Sequence, residues 1–136
     1  MVQTGDTEMS VYVNQDYAQP TAHLRRYSLR LDGFSSIHAD YEGGEFRTKP
    51  FTFDGSRLNV NFSTSAAGGI QFEIQNPDGQ PIPGYALADS VEQIGNEIER
   101  TVTWKSGSDI STLSGKTVRL LCRLKDADLY SLQFGR

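Results

Sequence analysis

The sequence predicts an all-β fold, an antiparallel β-sandwich of the jelly-roll type, and three observations lead to it. Apolar and polar side chains alternate with a period of two in short runs, as in strands that bury one face. Turn-forming residues separate these runs, and the chain contains 13 glycines and 5 prolines. No stretch carries the apolar stripe of an amphipathic helix. Two antiparallel sheets packed through their apolar faces account for all three features.

Eight runs along the chain follow this alternation and are predicted to form strands. They are 9–13, 23–31, 51–53, 58–62, 70–75, 98–104, 118–124 and 130–134. In the second run, for example, Tyr27, Leu29 and Leu31 share one face of the strand, and Arg26 and Arg30 lie on the other. A set of this size is suitable for a jelly-roll sandwich.

The last two runs are predicted to form an antiparallel hairpin. The alternation breaks at 125–127, which we interpret as its turn. Tyr130, Leu132 and Phe134 are then expected to face the core. Each such side chain contributes about 1.5–3 kcal/mol when it is buried. The end of the chain is therefore expected to be part of the fold.

The length and the charge limit the class of protein. A chain of 136 residues has the size of one domain and can form a core without metals or disulfides. We therefore expect residues 1–136 to form a single β-sandwich domain. The net charge of −4 repels phosphate backbones, so we expect no nucleic-acid partner. No stretch is long enough to span a bilayer, and no membrane partner is expected.

The N-terminal stretch "MVQTGDTEMS" has neither the basic region nor the apolar region of a signal peptide. It is typical of the middle of a longer chain. Cys122 is the single cysteine, which excludes an internal disulfide. Its inward position in the alternation predicts an inert core residue.

Three segments cover most of the chain from Tyr12 to Phe134: "LRRYSLRLDGFSSIHADYEGGEFRTKP", "NFSTSAAGGIQFEIQNPDGQPIPGY" and "GNEIERTVTWKSGSDISTLSGKTVRLLCRLKDADLYSLQF". They resemble a β-sandwich domain at the C-terminal end of large bacterial proteins that carry a β-propeller ahead of it, similar to glycoside hydrolase families 32 and 43. The resemblance implies a carbohydrate context and a domain excised from the C-terminal end of a longer chain. It also implies an extracellular or periplasmic location as part of that protein.

The stretch "HADYEGGEF" combines aromatic residues with carboxylates. Tyr41 and Phe46 could offer flat faces to the apolar surface of a pyranose. Asp40, Glu42 and Glu45 could accept hydrogen bonds from its hydroxyl groups. The alternative is a loop whose aromatic side chains fold back onto the edge of the core.

The stretch "NPDGQPIPGY" predicts a reverse turn, because proline fixes φ and glycine accepts a positive φ. The functional hypothesis is that this loop projects Tyr85 beside a sugar site. The alternative is that it is a connection only.

The stretch "GNEIERTVTWKSGSD" contains Trp104, the single tryptophan, flanked by Glu97, Arg100 and Lys105. Trp104 shares the phase of the apolar residues of its strand, so burial is the default and sugar contact is the alternative. Arg100 has the same inward phase and needs a carboxylate partner, for which Glu73 and Glu97 are the candidates. Arg100 could instead lie at an open edge and bind a sugar hydroxyl or a uronate.

A structural calcium ion is a possible cofactor, and we expect no other. Jelly-roll carbohydrate-binding modules often hold Ca²⁺ with carboxylates and carbonyl groups at the ends of the first and last strands. Asp126 and Asp128 are the candidate ligands here, with Glu8 or Asp6 from the first strand. The alternative is that these side chains are only solvated.

The isolated domain is not expected to be an enzyme. Glycoside hydrolysis needs two carboxylates roughly 5–10 Å apart, and the sequence singles out no pair. The only histidines are His23 and His38, and neither a G-x-S-x-G nor an H-E-x-x-H motif is present. As the resemblance implies, the catalytic carboxylates would lie on the propeller of a parent glycoside hydrolase.

Two functions of different class follow. The first is a non-catalytic carbohydrate-binding module that binds a polysaccharide or oligosaccharide, and the second is an accessory domain that packs on the parent catalytic propeller and binds no glycan. A module needs exposed aromatic residues in one groove, whereas an accessory domain needs an exposed apolar patch. We favour the first. Its predicted sugar-binding residues are Tyr41, Glu42, Tyr85, Glu97, Arg100, Trp104 and Lys105.

Overall fold

The computed structural model describes residues 1–135 and shows an all-β protein, as the sequence predicts. About 56% of the chain is strand and about 4% is helix, and every strand pairing is antiparallel. The chain divides into two compact units, Met1–Ser35 and Ser36–Arg136. Each unit has its own sheet. The jelly-roll topology and the single domain over residues 1–136 stay predictions.

The first unit is a three-stranded sheet in the order β1-β2-β3. Its strands are β1 (Val2–Gln3), β2 (Glu8–Gln15) and β3 (His23–Arg30). β2 and β3 pair along their whole length, with Val13 opposite Arg25 and Val11 opposite Tyr27. Directly opposed residues share a face. One face of this sheet is therefore largely apolar, with Arg25 as its charged residue. We name its apolar part the hairpin face: Met9, Val11, Val13, Tyr27 and Leu29.

The opposite face of the first unit carries a polar network around Arg26. Its Nε donates to Ser10 Oγ at 2.8 Å, and its Nη2 pairs with the Glu8 carboxylate. Ser10 Oγ is also 2.6 Å from Thr4 Oγ1. Ser10 is the one residue of Met1–Ser35 that is fully buried. The network ties β2 to β3 in place of an apolar core.

The second unit is built on two strands of 19 residues each, β7 (Arg57–Gln75) and β9 (Thr117–Gly135). They pair from Arg57 opposite Gly135 to Gln75 opposite Arg119. β8 (Asn96–Thr101) pairs with β7. The short strands β4 (Ile37–Ala39), β5 (Gly44–Arg47) and β6 (Phe51–Thr52) pair one after another with β9.

Within the described part of the chain, helix is limited to two single turns, Leu87–Asp89 and Ser111–Leu113. Within residues 1–135, no helix has the length and apolar character needed to cross a membrane.

Side chains from both halves of β7 and β9 meet in one core cluster. Its members on these strands are Leu58, Val60, Phe62, Ile70, Phe72, Ile74, Val118, Leu120, Cys122, Leu124, Ala127 and Leu129. Trp104, Ile110 and Leu113 join it from the segment after β8. Residues 58–62 and 70–74 lie on one strand yet share this core. The sheet therefore folds over on itself, and its layers pack in a sandwich-like manner.

The prediction of a C-terminal hairpin is wrong. Residues 117–135 form one continuous strand, and both of its halves pair with β7 rather than with each other. The break at 125–127 marks a bend in the strand. Asp126 has φ of 42°, in the left-handed region, and residues 65–68 of β7 bulge opposite it, between the pairs Thr64–Ala127 and Gly69–Lys125.

The bulge also explains which residues face the core. Up to Leu124 the positions of β9 that belong to the core cluster have even numbers, and after the bend they are Ala127 and Leu129. Leu121 is also buried but lies outside this cluster. A second irregularity in the ladder restores the first phase, and Leu132 and Phe134 pack against the core as predicted. Tyr130 lies at this irregularity and is not part of the core, contrary to prediction, and its hydroxyl group lies 3.3 Å from Ser63 Oγ.

We expect Gly68→Ala to destabilise the second unit, because an added Cβ would meet the main-chain oxygens of Lys125 and Asp126. Overpacking of this kind costs about 1–3 kcal/mol of the free energy of unfolding, which urea denaturation measures. Gly135→Ala is the matched control, since nothing lies within 4 Å of its added Cβ. Equal midpoints for the two variants would contradict the close approach of β7 to the bend.

Candidate functional site

The second unit contains a pocket of about 450 Å³, a volume within the range of small-ligand sites. We name it the Tyr41 pocket. It is lined by Tyr41, Glu42, Gly43, Gly44, Glu45, Arg123, Leu124 and Lys125. Two of the predicted sugar-binding residues, Tyr41 and Glu42, therefore lie together in one concave site.

The rim of the Tyr41 pocket is a tight turn between β4 and β5. The Gly43 N–H donates to the Asp40 carbonyl at 3.0 Å, and the Glu42 N–H donates to the Asp40 carboxylate at 3.1 Å. Gly43 has φ of 79°, a conformation that glycine adopts without strain. The Asp126 N–H donates to the same Asp40 carbonyl at 2.8 Å. The turn is therefore anchored to the bend of β9.

The floor of the pocket comes from the pairing of β5 with β9. Glu45 lies opposite Arg123, and Gly44 lies opposite Leu124. Leu124 is buried in the core, so the alternating positions Arg123 and Lys125 point to the outer face of the sheet. Arg123 Nη2 is 3.3 Å from Glu45 Oε2. This ion pair is half-exposed and contributes little to stability.

Tyr41 supplies the aromatic surface of the pocket. Its side chain is 62% exposed, so this residue does not fold back onto the core, whereas Phe46 does. The ammonium group of Lys125 lies 4.2 Å from the centre of the Tyr41 ring. This distance is that of a cation–π contact. The ring is therefore accessible, with a cation over one of its faces.

Trp104 and Tyr85 lie together elsewhere, in the core. Trp104 is 2% exposed, and its Nε1 donates to the Phe72 carbonyl at 3.0 Å. The Tyr85 ring packs edge-on against it at 5.3 Å, and the Tyr85 hydroxyl donates to the Asp109 carbonyl at 3.1 Å. The Trp104 ring has no accessible face for a sugar in this arrangement, and we leave both residues out of the candidate site.

Of the two proposed partners of Arg100, the structure shows Glu97. Arg100 Nη2 is 2.7 Å from Glu97 Oε1, and both side chains are partly exposed. Glu73 is instead buried, where it accepts from Gln75 Nε2 at 2.6 Å and from the Leu87 N–H at 2.8 Å. Lys105 pairs with Asp89 at 3.6 Å. None of the predicted residues Glu97, Arg100 and Lys105 lines the Tyr41 pocket.

Sequence reasoning missed Arg123 and Lys125 as candidate site residues. Both occupy the polar phase of a well-patterned strand, which on its own indicates only a solvated face. The missing information was the register of β5 on β9, which places Glu45 against Arg123. A turn was predicted at 125–127, but the strand continues through these residues. This continuation places Lys125 against the Tyr41 ring.

Of the two candidate calcium ligands, Asp128 is hydrogen-bonded to residues of the loop before β4 and of β4 itself. Asp128 Oδ1 is 2.6 Å from the Ser36 hydroxyl and 3.1 Å from His38 Nδ1. In the described part of the chain, no group of three or more His, Cys, Asp or Glu side chains is placed to hold a metal ion. Calcium takes roughly six to eight oxygen ligands. A calcium site at Asp126 and Asp128 therefore stays a prediction, and these two carboxylates are its candidate ligands.

A smaller pocket of about 270 Å³ lies at the start of β7, lined by Ser56, Arg57, Ser108, Asp109 and Ser111. The Ser111 N–H donates to Asp109 Oδ1 at 2.8 Å. This hydrogen bond, with one from the Ser111 side chain, lowers the pKa of the Asp109 carboxyl group. The carboxylate is therefore ionised at neutral pH and organises its own loop.

Cys122 is buried in the core, as predicted from its phase. Burial raises the pKa of its thiol far above the usual range. The thiol stays protonated and has no access to a substrate, so it is not a nucleophile.

Comparisons of the chain with protein-family models, with curated proteins and with solved structures found no match. The resemblance to the C-terminal domain of propeller-type glycoside hydrolases, and everything it implies, stays a prediction.

We expect Trp104→Ala to lower the free energy of unfolding by about 3–5 kcal/mol, because it removes a large buried side chain and leaves a cavity. Thermal or urea denaturation followed by circular dichroism measures the change. Tyr41→Ala is the control, and its exposed side chain predicts a change within about 0.5 kcal/mol. Similar losses for both variants would contradict the assignment of Trp104 to the core and of Tyr41 to the site.

Proposed function

We propose that this chain is a non-catalytic carbohydrate-binding module, and that the Tyr41 pocket holds a unit of a polysaccharide or oligosaccharide. The observation that carries the proposal is the exposed Tyr41 ring at the rim of a pocket whose lining also contains four charged side chains. Sugar rings have apolar C–H faces and polar edges. A site with one aromatic ring and several hydrogen-bonding groups matches both parts.

Four side chains of the pocket have a role in this proposal: Tyr41, Glu42, Glu45 and Arg123. The ring of Tyr41 contacts the C–H face of the sugar. The carboxylate of Glu42 accepts hydrogen bonds from hydroxyl groups. Arg123 and Glu45 hold each other at 3.3 Å and present a donor and an acceptor side by side. Because the pair is preformed, little side-chain entropy is lost when a ligand binds.

The proposal assigns no bond-breaking step to this chain. The parent protein would be a glycoside hydrolase outside the cell or in the periplasm, with the chemistry on its catalytic domain. The module would keep that domain close to its polymeric substrate, which raises the local substrate concentration.

A second candidate function is supported by a different observation. On the hairpin face of the first unit, Val13 is 40% exposed and Tyr27 is 45% exposed. An exposed apolar sheet face favours a docking role. On this proposal the domain is an accessory element that packs on a catalytic propeller and binds no glycan.

Titration of the purified domain against a panel of plant and algal polysaccharides by calorimetry tests the first proposal. We expect Tyr41→Ala to weaken binding roughly tenfold or more, since it removes the aromatic contact. The melting temperature should not change. Tyr17→Ala removes an aromatic side chain that is 81% exposed and lies in the other unit, so it should bind as the wild type does.

Absence of binding to every glycan in the panel would contradict the module and favour the accessory role. For the accessory role, we expect Val13→Asp to weaken a complex with the parent propeller in sedimentation velocity, because it places a charge on the hairpin face. A complex unaffected by Val13→Asp, or no complex at all, would contradict it.

A further inference from the structure

We infer that the Tyr41 pocket selects an anionic sugar unit, one that carries a carboxylate or a sulfate group, and that Lys125 binds this group. The inference rests on the proposed function and names its ligand class. Two observations support it. Lys125 lies over the Tyr41 ring, and the other cation of the pocket, Arg123, is paired with Glu45.

The charges lining the Tyr41 pocket are not equivalent. Glu42, Glu45, Arg123 and Lys125 balance in formal charge, so the pocket has no net sign. Arg123 is held by Glu45. Lys125, by contrast, has no ion-pair partner among residues 1–135. Among residues 1–135, the Lys125 ammonium group is therefore the cation of the pocket that no carboxylate holds.

The cation–π contact fixes where that ammonium group lies. At 4.2 Å from the ring centre, the Lys125 Nζ occupies one face of Tyr41. A neutral sugar that stacks on this face has to displace the ammonium group. It offers the displaced ammonium group no anionic partner in return. A sugar with an anionic substituent can instead leave the ammonium group in place, pair with it, and contact the remaining surface of the ring.

The acidic side chains restrict the orientation of such a ligand. Glu42 lies in the rim turn and repels an anionic group placed beside it. Lys125 projects from the floor strand, two positions from Arg123, on the outer face of the sheet. The anionic group is therefore expected toward the β9 side of the pocket, and neutral hydroxyl groups toward the turn.

The experiment uses glycans in matched pairs in which the anionic group of one member is esterified or removed in the other. An oligogalacturonate is compared with its methyl ester, and a sulfated galactan oligomer with its desulfated form, by calorimetry at low and high salt. We expect at least one acidic member to bind roughly tenfold or more tightly than its neutral partner. We also expect this preference to weaken as salt screens the charge.

Lysine variants then assign the preference to a residue. Lys125→Gln keeps most of the side-chain length and removes the charge, so it should abolish the preference for the acidic member. Lys125→Arg keeps the charge and should retain it. Lys116→Gln is the matched control, since Lys116 is exposed and lies outside the pocket. Equal melting temperatures exclude misfolding of the variants.

The outcomes separate this inference from the proposed function. Equal binding of the acidic and neutral members, or full retention of the preference in Lys125→Gln, would overturn the inference and leave a glycan-binding module. Sulfate preference without uronate preference identifies which anionic group the site takes. Absence of binding to both members of every pair and to the polysaccharide panel would overturn the module together with its ligand class.

Discussion

The long antiparallel ladder between β7 and β9 is the constraint on which the second unit depends. Both strands run for 19 residues and contribute to the core on both sides of a common bend. At the bend, the bulge at 65–68 faces a left-handed Asp126. Because the strand bends without reversing, β4, β5 and β6 can pair in succession with β9. The rim turn of the Tyr41 pocket is then hydrogen-bonded directly to the bend through the Asp40 carbonyl.

The bend also connects stability with the candidate site. The buried face of β9 holds Leu124 in the core, and the outer face of the same segment presents Arg123 and Lys125 to the pocket. A shift of one residue in the register of β9 would exchange these faces, so the core enforces the position of the site. The first unit has no comparable core. Its strands β2 and β3 are joined by the polar network around Arg26, and the hairpin face is exposed in part.

The sequence predicted the fold class because alternation is a local property, and local properties determine which side chains can share a face. It predicted Tyr41 and Glu42 as candidates because an aromatic residue beside carboxylates and glycines is visible in one stretch. It did not predict the continuity of β9. A left-handed residue within a strand, such as Asp126, interrupts the alternation of apolar and polar side chains just as a turn does. Arg123 and Lys125 were missed because their role depends on pairing with residues about eighty positions away. For Trp104, the phase of its strand correctly predicted burial as the default.

The most direct test of the account is chemical-shift mapping of the isotopically labelled domain as an oligogalacturonate, a sulfated galactan oligomer and neutral oligosaccharides are added in turn. The account predicts that the amide signals that move for a binding glycan belong to residues 41–45 and 123–125. It further predicts that signals of Trp104 and of the first unit remain in place. Shifts centred on the hairpin face or on the smaller pocket, or no shifts with any of these glycans, would contradict it.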